Sequence, residues 1–226
     1  MIFKTRGIVL NHIKFKETSI IARIYTEEFG LQSYIVNGVR SSKGHAKIAL
    51  YQPLMLLDLV VYKNDQKTIQ RISEAKCDFA YKTILSDVRK SAIAMFWGEL
   101  LNKTITDEGL EDREKFKFIR SELIRLEGTS EGVENLPLIF SIRFCRYLGF
   151  AIQDATALIE DIPIKPSSEI YKLKNLFDAV IKGSDIPKTD SFLRRKGLNY
   201  VLNYYGYHIE DLRKLKSIDI LKQVFL

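Results

Sequence analysis

The chain has 226 residues, of which 46% are hydrophobic and 28% are charged, as in an ordinary globular protein. This composition excludes collagen-like, disordered and disulfide-scaffold proteins, and the length suits one large domain or two small ones. The net charge is +7, and residues 1–80 hold 12 Lys and Arg against 7 Asp and Glu, so most of the excess lies in the first third of the chain. A basic excess favours acidic partners such as nucleic acid or an anionic membrane.

Residues 1–80 alternate between apolar and polar positions and are rich in Val, Ile and Tyr, as in half-buried β-strands. The pattern predicts five strands, at about Phe3–Phe15, Thr18–Glu27, Leu31–Arg40, Leu54–Tyr62 and Thr68–Cys77. In the second of them Ile20, Ala22 and Ile24 share one face. Five short strands in about 80 residues favour a small barrel of the OB type. An SH3-like barrel would show the same periodicity, so the pattern does not choose between the two.

After residue 80 the apolar positions recur with the period of helices. A long first helix is predicted, because one face holds Ile84, Val88, Ala92, Phe96 and Leu100. Further helices are predicted to end at Gly128, Gly149 and Gly183, followed by one over Phe192–Tyr205 and a short one near Ile218. Residues 151–168 are expected to be irregular. The expected fold class is α+β, with a five-stranded barrel domain at residues 1–80, of the OB or the SH3-like type, and an all-helical domain at residues 81–226.

The sequence carries no motif typical of catalysis or of cofactor binding. It has no Walker or Rossmann glycine loop and no Gly-x-Ser-x-Gly elbow. The histidines, His12, His45 and His208, are far apart and show no ligand spacing. Cys77 and Cys145 are too few for a structural zinc site, which usually takes four ligands. We therefore predict a protein that is not an enzyme and that holds neither a metal nor a cofactor.

The compartment follows from features near the N-terminus and from the low cysteine content. The segment after Met1 has no continuing apolar stretch, so no signal peptide is predicted. No run approaches the ~18 apolar residues of a transmembrane helix, so no membrane association is predicted. Two cysteines in a chain of this length fit a reducing, cytoplasmic setting.

Basic residues are interleaved with aromatic ones in the predicted barrel. Lysine and arginine neutralise phosphates, and tyrosine rings stack on bases without regard to sequence. The alternation places Arg23 on a strand face with Tyr25, and Arg40 on a face with Tyr34. We therefore predict a nucleic-acid-binding set that consists of Lys4, Arg6, Lys14, Lys16, Arg23, Tyr34, Arg40, Lys43 and Lys47. The alternative is a solvated barrel rim with ordinary core tyrosines.

A second basic cluster lies in the predicted fifth helix and consists of Arg194, Arg195 and Lys196. Three consecutive helical positions span about 200° of arc, so not all three side chains can face one ligand. A DNA contact and a solvated helix face are both open for this cluster.

Several stretches, taken in chain order, resemble one family over nearly the whole length. In the barrel region they are Gly7–Leu10, Glu17–Ile21, Tyr25–Gly30 and Gly38–Lys43, and in the helical region Phe144–Phe150 and Leu215–Phe225. Together they resemble the RecO family of bacterial DNA repair and recombination-mediator proteins. The last stretch is similar to the leucine-lysine-serine ending of that family.

The resemblance implies an N-terminal OB-fold followed by a helical domain. It also implies binding of single- and double-stranded DNA, annealing of complementary strands and no enzymatic turnover. The implied partners are RecR and single-stranded-DNA-binding protein, with which the protein would help to load RecA on coated strands. The implied location is the cytoplasm, in association with the nucleoid.

The chain departs from the family in one respect. Many members carry a four-cysteine zinc module just after the Leu-Gly-Phe helix, but residues 151–168 contain no cysteine, so we expect a zinc-free variant. Relatives also bind the acidic, apolar tail of single-stranded-DNA-binding protein in a pocket of the helical domain. Arg143 and Arg146 are the nearest candidates for that contact here.

Two other functions stay open beside the mediator. One is a protein-interaction adaptor whose barrel binds a peptide. The other is a nuclease, which would need a converging acidic cluster that the basic N-terminal region does not offer.

Overall fold

Five strands form near the N-terminus, as the alternation predicts. In the computed structural model, which describes residues 1–40, 45–106, 111–159, 167–213 and 215–225, they are β1 (Ile2–Phe15), β2 (Ser19–Thr26), β3 (Gly30–Val36), β4 (Leu56–Tyr62) and β5 (Ile69–Phe79). β3 is shorter than predicted, so Arg40 lies beyond the strand and shares no strand face with Tyr34.

The strands close into a barrel in the order β1-β2-β3-β5-β4. Neighbouring strands are antiparallel except β3 and β5, which pair in parallel. A parallel pair needs a crossover, and here the crossover contains the short helix α1 (His45–Ile48) and β4. This Greek-key order is that of the OB-fold, so the OB-type barrel is confirmed over the SH3-like one.

β1 is the longest strand because it pairs with two neighbours along its length. Its residues 2–8 pair with β4, and its residues 7–15 pair with β2. Gly7 lies where the two pairings overlap. A Cβ atom at this position would lie 2.6 Å from Ile24 Cγ2 and 2.8 Å from Leu59 Cδ1, so glycine is needed for the barrel to close here.

Alternate residues fill the barrel interior. Ile20, Ala22 and Ile24 of β2 are fully buried, which confirms the predicted inward face. Tyr34 of β3 pairs with Ala22 and points to the same core, together with Tyr51 from the turn before β4. The core of the barrel therefore includes tyrosine rings that the alternation alone does not place.

A helix that follows the barrel in sequence belongs to the same compact unit, which comprises Met1–Leu85 and Leu101–Gly128. This helix, α4 (Arg113–Gly128), packs Phe116 near Tyr25 of β2, with ring centroids 6.2 Å apart. Its Arg120 forms an ion pair with Asp78 of β5 at 2.9 Å. Packing thus groups residues 101–128 with the barrel, and the division of the chain at residue 80 stays a prediction.

The first long helix begins later than predicted, because the helical conformation is interrupted at Asp87. This interruption separates α2 (Thr83–Ser86) from α3 (Val88–Thr104). The Asp87 carboxylate accepts a hydrogen bond from the Arg89 backbone N–H at 2.8 Å, which caps the start of α3. Hydrogen bonds from the Arg89 side chain lower the pKa of Asp87 to about 2, so the cap stays charged at neutral pH.

The second compact unit comprises Ser86–Leu100 and Thr129–Leu226, and its described residues form helices and irregular segments. Besides the first part of α3 it contains α5 (Leu136–Phe144), α6 (Ser168–Lys182), α7 (Ser191–His208) and α8 (Ser217–Val224). Trp97 of α3 stacks on Phe140 of α5 with ring centroids 4.4 Å apart. The buried Tyr205 hydroxyl of α7 donates a hydrogen bond to the Ser141 carbonyl at 2.8 Å. These aromatic contacts form the centre of the helical unit.

The ends of the helices follow local signals. Gly149 and Gly183 have φ of +88° and +70°, the left-handed conformation that stops a helix, and both stops are as predicted. The leucine-lysine-serine stretch starts α8, where Glu99 of α3 accepts hydrogen bonds from the backbone N–H groups of Lys216 and Ser217 at 3.0 and 2.8 Å.

Residues 151–168, which the sequence predicts to be irregular, include a 3-10 turn at Ala155–Leu158. Residues 160–166 of this segment lie outside the described residues. Of the helices that the structure describes, none is long and apolar enough to cross a membrane.

Candidate nucleic-acid interface

Three of the residues predicted to contact nucleic acid lie at or beside the turn between β1 and β2. Lys14 and Lys16 are exposed at and just beyond the end of β1. The Arg40 backbone N–H donates to the Thr18 carbonyl at 2.9 Å, and its guanidinium donates to the Lys16 carbonyl at 3.2 Å. We name Lys14, Lys16 and Arg40 the turn cluster.

Local backbone geometry brings the turn cluster together. Lys16 has φ of +51°, in the left-handed region, and this residue reverses the chain after Phe15. The Lys16 ammonium lies 5.5 Å from the centre of the Phe15 ring. The Ser19 hydroxyl donates to Asn37 Oδ1 at 3.0 Å, which holds the segment before Arg40 against the start of β2.

The charge at this turn is largely uncompensated. Within the described part of the chain, Lys14, Lys16 and Arg40 form no ion pair. The acid of the turn is Glu17, which is exposed. Lys47 of α1 is also exposed, in the segment that follows Arg40. Exposed cations without a carboxylate partner are the groups that can exchange their counterions for phosphates.

The surroundings of Lys4 and Arg6, near the other end of β1, are different. The Arg6 guanidinium makes two hydrogen bonds to the Glu27 carboxylate, both of 2.8 Å. These bonds hold the pKa of Glu27 below its ordinary value, although burial acts in the opposite direction. Asp58 and Glu74 line the same cleft as Lys4 and Arg6. This end of β1 therefore has mixed charge, and Arg6 is already bound by a carboxylate.

The remaining predicted DNA-contacting residues of the barrel region are Arg23, Tyr34 and Lys43. Arg23 is half-buried, and its guanidinium donates to Asn102 Oδ1 at 3.4 Å within the barrel unit. Tyr34 is 1% exposed, and burial raises the pKa of its phenol. A base cannot reach a ring in the core, so the expectation of an accessible Tyr34 is wrong. Lys43 lies outside the described residues.

The cations of α7 differ in their polar contacts, although Arg195 and Lys196 both lie about 6 Å from the centre of the Phe192 ring. Arg194 donates to the Thr189 carbonyl, and Lys196 forms an ion pair with Glu169 of α6. The Arg195 guanidinium lies 5.9 Å from the centre of the Phe192 ring. These three residues therefore do not form one binding face.

An apolar cleft with basic edges lies in the helical unit, and we name it the helical cleft. Its charged residues are Arg194, Arg195, Lys222 and Glu134, and its apolar walls include Leu138, Leu198, Leu221 and Phe225. Arg143 and Arg146 are not among its lining residues. Arg143 lies in α5, and Arg146 is exposed on the 3-10 turn after α5, 5.2 Å from the Tyr147 ring centre.

Arg71 and Lys76 of β5 are exposed cations that the sequence reading missed. They line a second cleft, in the barrel unit, together with Lys47. Their strand has no net charge because it also holds Glu74 and Asp78. A bulge at Ser73 also shifts the phase of the alternation, so the period-two pattern does not assign their faces.

The cysteines do not suit a metal site of the family's four-cysteine kind. Cys145 is buried, donates from Sγ to the Ser141 carbonyl at 3.3 Å, and has its pKa raised by burial to about 12. Cys77 is exposed and belongs to the other compact unit. A zinc ligand must be a thiolate, which a raised pKa opposes. Within the described residues, no three His, Cys, Asp or Glu side chains are arranged to hold a metal ion.

Comparison with known proteins agrees with this architecture. Residues 1–80 match the sequence family described as Recombination protein O N terminal. Curated relatives named DNA repair protein RecO align with all of this chain and over all of their own length. The relative from Flavobacterium johnsoniae is 31% identical over 247 residues, that from Bacteroides fragilis 31% over 243 and that from Flavobacterium psychrophilum 30% over 239. The chain therefore belongs to the RecO family of DNA repair proteins.

Proposed function

We propose that this protein is a mediator of DNA repair and recombination that holds DNA strands and catalyses no covalent step. Its family places it in DNA repair and recombination. In our proposal it binds single- and double-stranded DNA, anneals complementary strands, and with RecR helps to load RecA on strands coated by single-stranded-DNA-binding protein. It acts in the cytoplasm, in association with the nucleoid.

The turn cluster is the observation that supports DNA binding best. Lys14 and Lys16 are exposed on an OB-fold barrel and have no carboxylate partner within the described residues. Each phosphate that such a cation contacts releases condensed counterions, which gives binding without sequence preference. Arg40 and Lys47 extend the basic surface beyond the turn, whereas Arg6 contributes less because Glu27 already binds it.

Annealing follows from the same charge. Two DNA strands repel each other through their phosphates, and this repulsion limits their encounter at low salt. A protein that carries exposed cations on a small barrel lowers the repulsion between strands that it holds close together. Base pairing then becomes the favourable step, and no bond of the DNA is broken.

The helical cleft supports the proposal for the protein partner. Three cations and one acid line it, and of these cations Lys222 is paired with Asp219 at 3.8 Å. Its walls are apolar, so it suits a peptide that carries both acidic and apolar side chains. The tail of single-stranded-DNA-binding protein has this chemistry. We therefore assign the tail to the helical cleft instead of to Arg143 and Arg146.

Tail binding can be measured by the fluorescence anisotropy of a labelled tail peptide. Arg195→Glu should weaken the peptide at least tenfold, because it places a second acid at the edge of the cleft. Arg146→Glu makes the same charge change outside the cleft and should leave the affinity within twofold. If Arg146→Glu weakens the peptide and Arg195→Glu does not, the tail would instead bind at Arg143 and Arg146, as the sequence predicts.

A strand-annealing assay tests the function as a whole. Two complementary labelled oligonucleotides are mixed with the protein, with and without Mg²⁺, and both pairing and strand length are followed. We expect faster annealing without cleavage under both conditions. Cleavage would instead show the nuclease, and the absence of both DNA binding and annealing would leave the protein-interaction adaptor.

A further inference from the structure

One edge of β5 has no neighbouring strand over much of its length. β5 runs from Ile69 to Phe79, but β3 pairs with it only through Ile69–Arg71, while β4 pairs along its other edge. Among the described residues, no backbone hydrogen bond reaches the β3 side of β5 from Ser73 to Cys77. An open edge of this length, about 16 Å, presents N–H and C=O groups on which another strand can form.

A cleft of about 530 Å³ runs beside this edge, and we name it the β5 cleft. Val39 and Tyr51, which line it, belong to the buried core of the barrel. Leu50, Ile72 and Ala75 also line it and are only partly buried against that core. The cleft therefore combines an open backbone edge with an apolar floor.

Cys77 shows independently that this part of β5 is accessible to solvent. It pairs across the sheet with Leu57, so the two side chains lie on the same face. Leu57 is fully buried in the core, yet Cys77 is exposed. A core-facing position is solvent-accessible here because β3 pairs with β5 only as far as Arg71 and does not extend along this part of the strand.

The charge along the β5 cleft is predominantly positive. Lys47, Arg71 and Lys76 line the cleft together with one acid, Glu74. Lys76 pairs across the sheet with Asp58, on the outward face of the barrel. Asp58 offsets Lys76, so side chains that point outward from a strand added to β5 would meet a small excess of positive charge, of three cations over two acids.

We propose that the β5 cleft binds an extended segment of a partner protein, which adds to the open edge of β5 as a further strand. Successive side chains of a strand point to opposite faces, so inward residues of this segment are apolar and outward residues are acidic. DNA lacks the repeating N–H and C=O groups that a strand edge pairs with. The structure therefore assigns a polypeptide to this cleft and leaves DNA to the turn cluster.

Alkylation of Cys77, which lies at the end of the open edge and next to the lining residue Lys76, gives a readout beside the cleft. Cys145 is buried and its pKa is raised to about 12, so iodoacetamide at neutral pH modifies Cys77 selectively. The probe is the hexapeptide acetyl-Asp-Val-Asp-Val-Asp-Val-amide, which has the proposed alternation. Its fully N-methylated form keeps every side chain but loses every backbone N–H, and the oligonucleotide dT8 serves as the nucleic-acid probe.

At saturation the hexapeptide should slow Cys77 alkylation at least tenfold, measured by intact mass. The N-methylated peptide and dT8 should give no protection. The double variant Arg71→Glu/Lys76→Glu should lose the protection, whereas Lys172→Glu/Lys182→Glu, an equal charge reversal on the exposed face of α6, should keep it.

Equal protection by the N-methylated peptide, protection by dT8 alone, or none by the hexapeptide would each overturn the proposal. The comparison of the two peptides uses the wild-type protein, so it decides the matter even if the β5 variant fails to fold.

Discussion

Removing the two lysines of the turn cluster should reduce the salt dependence of single-strand binding by an amount that can be calculated. The variant is Lys14→Ala/Lys16→Ala. Both side chains are exposed, so their loss leaves no cavity and should not unfold the barrel. For single strands, each phosphate contact contributes about −0.7 to the slope of log K against log salt. Two lost contacts should therefore make the slope less steep by about 1.4.

The change in slope also sets the loss of affinity at each salt concentration. If the electrostatic contribution vanishes near 1 M salt, a slope change of about 1.4 corresponds to about 14-fold weaker binding at 0.15 M and about 65-fold at 0.05 M. The loss should therefore grow as salt is lowered, which distinguishes lost phosphate contacts from a general loss of folded protein.

Fluorescence anisotropy of labelled dT20, titrated between about 0.05 and 0.3 M NaCl, measures both quantities. The matched control is Lys172→Ala/Lys182→Ala, which removes two exposed lysines of α6 and the same net charge. Urea unfolding of all three proteins shows whether the fold is kept. The reasoning is refuted if the turn variant and the control change the slope equally, or if neither changes it.

Four further outcomes follow from contacts described above. Gly7→Ala should lower the free energy of unfolding by about 1–3 kcal/mol in urea, since its Cβ would overlap core side chains; an unchanged midpoint would contradict the close approach. Tyr34→Phe should leave DNA affinity unchanged, and a marked loss would show that a base reaches the ring. Glu99→Ala should lower the free energy of unfolding by about 0.5–2 kcal/mol and speed amide hydrogen exchange at the start of α8. Unchanged exchange there would show that the Glu99 cap is not needed. The ion pair of Arg6 and Glu27 stabilises the fold at pH values above 4.5, the ordinary pKa of glutamate. This stabilisation is lost as the pH falls through the lowered pKa of Glu27. Arg6→Ala should therefore make the urea midpoint depend less on pH below pH 4.5.

The sequence predicts the barrel well because its strands carry a local signal. Ile20, Ala22 and Ile24 alternate with more polar neighbours, and a buried strand face needs only that period. The glycine stops of the helical unit are also local, because a left-handed residue ends a helix whatever surrounds it. The break at Asp87 is local too, but the strong helical periodicity on both sides hides it.

The candidate site is harder to predict because it depends on contacts between distant residues. Lys16 and Arg40 meet only because the segment after β3 returns to the β1–β2 turn. Arg6 reads as a free cation until the pairing of β1 with β2 brings Glu27 beside it. Tyr34 fits an exposed stacking position equally well until its cross-strand partner shows that it faces the core.

The order in which the ribosome makes this chain matters, because each compact unit is assembled from two separate segments. Residues 86–100 emerge before the barrel unit is complete, yet they pack with residues 129–226, which are made later. At about 5–20 residues per second, roughly 5–20 s pass between the synthesis of residue 128 and that of residue 226. During this interval Phe96, Trp97 and Leu100, all fully buried in the finished protein, lack Phe140 and its neighbours. The nascent chain therefore displays an apolar helix face that attracts chaperones, and no single proteolytic cut divides the protein into two self-sufficient parts.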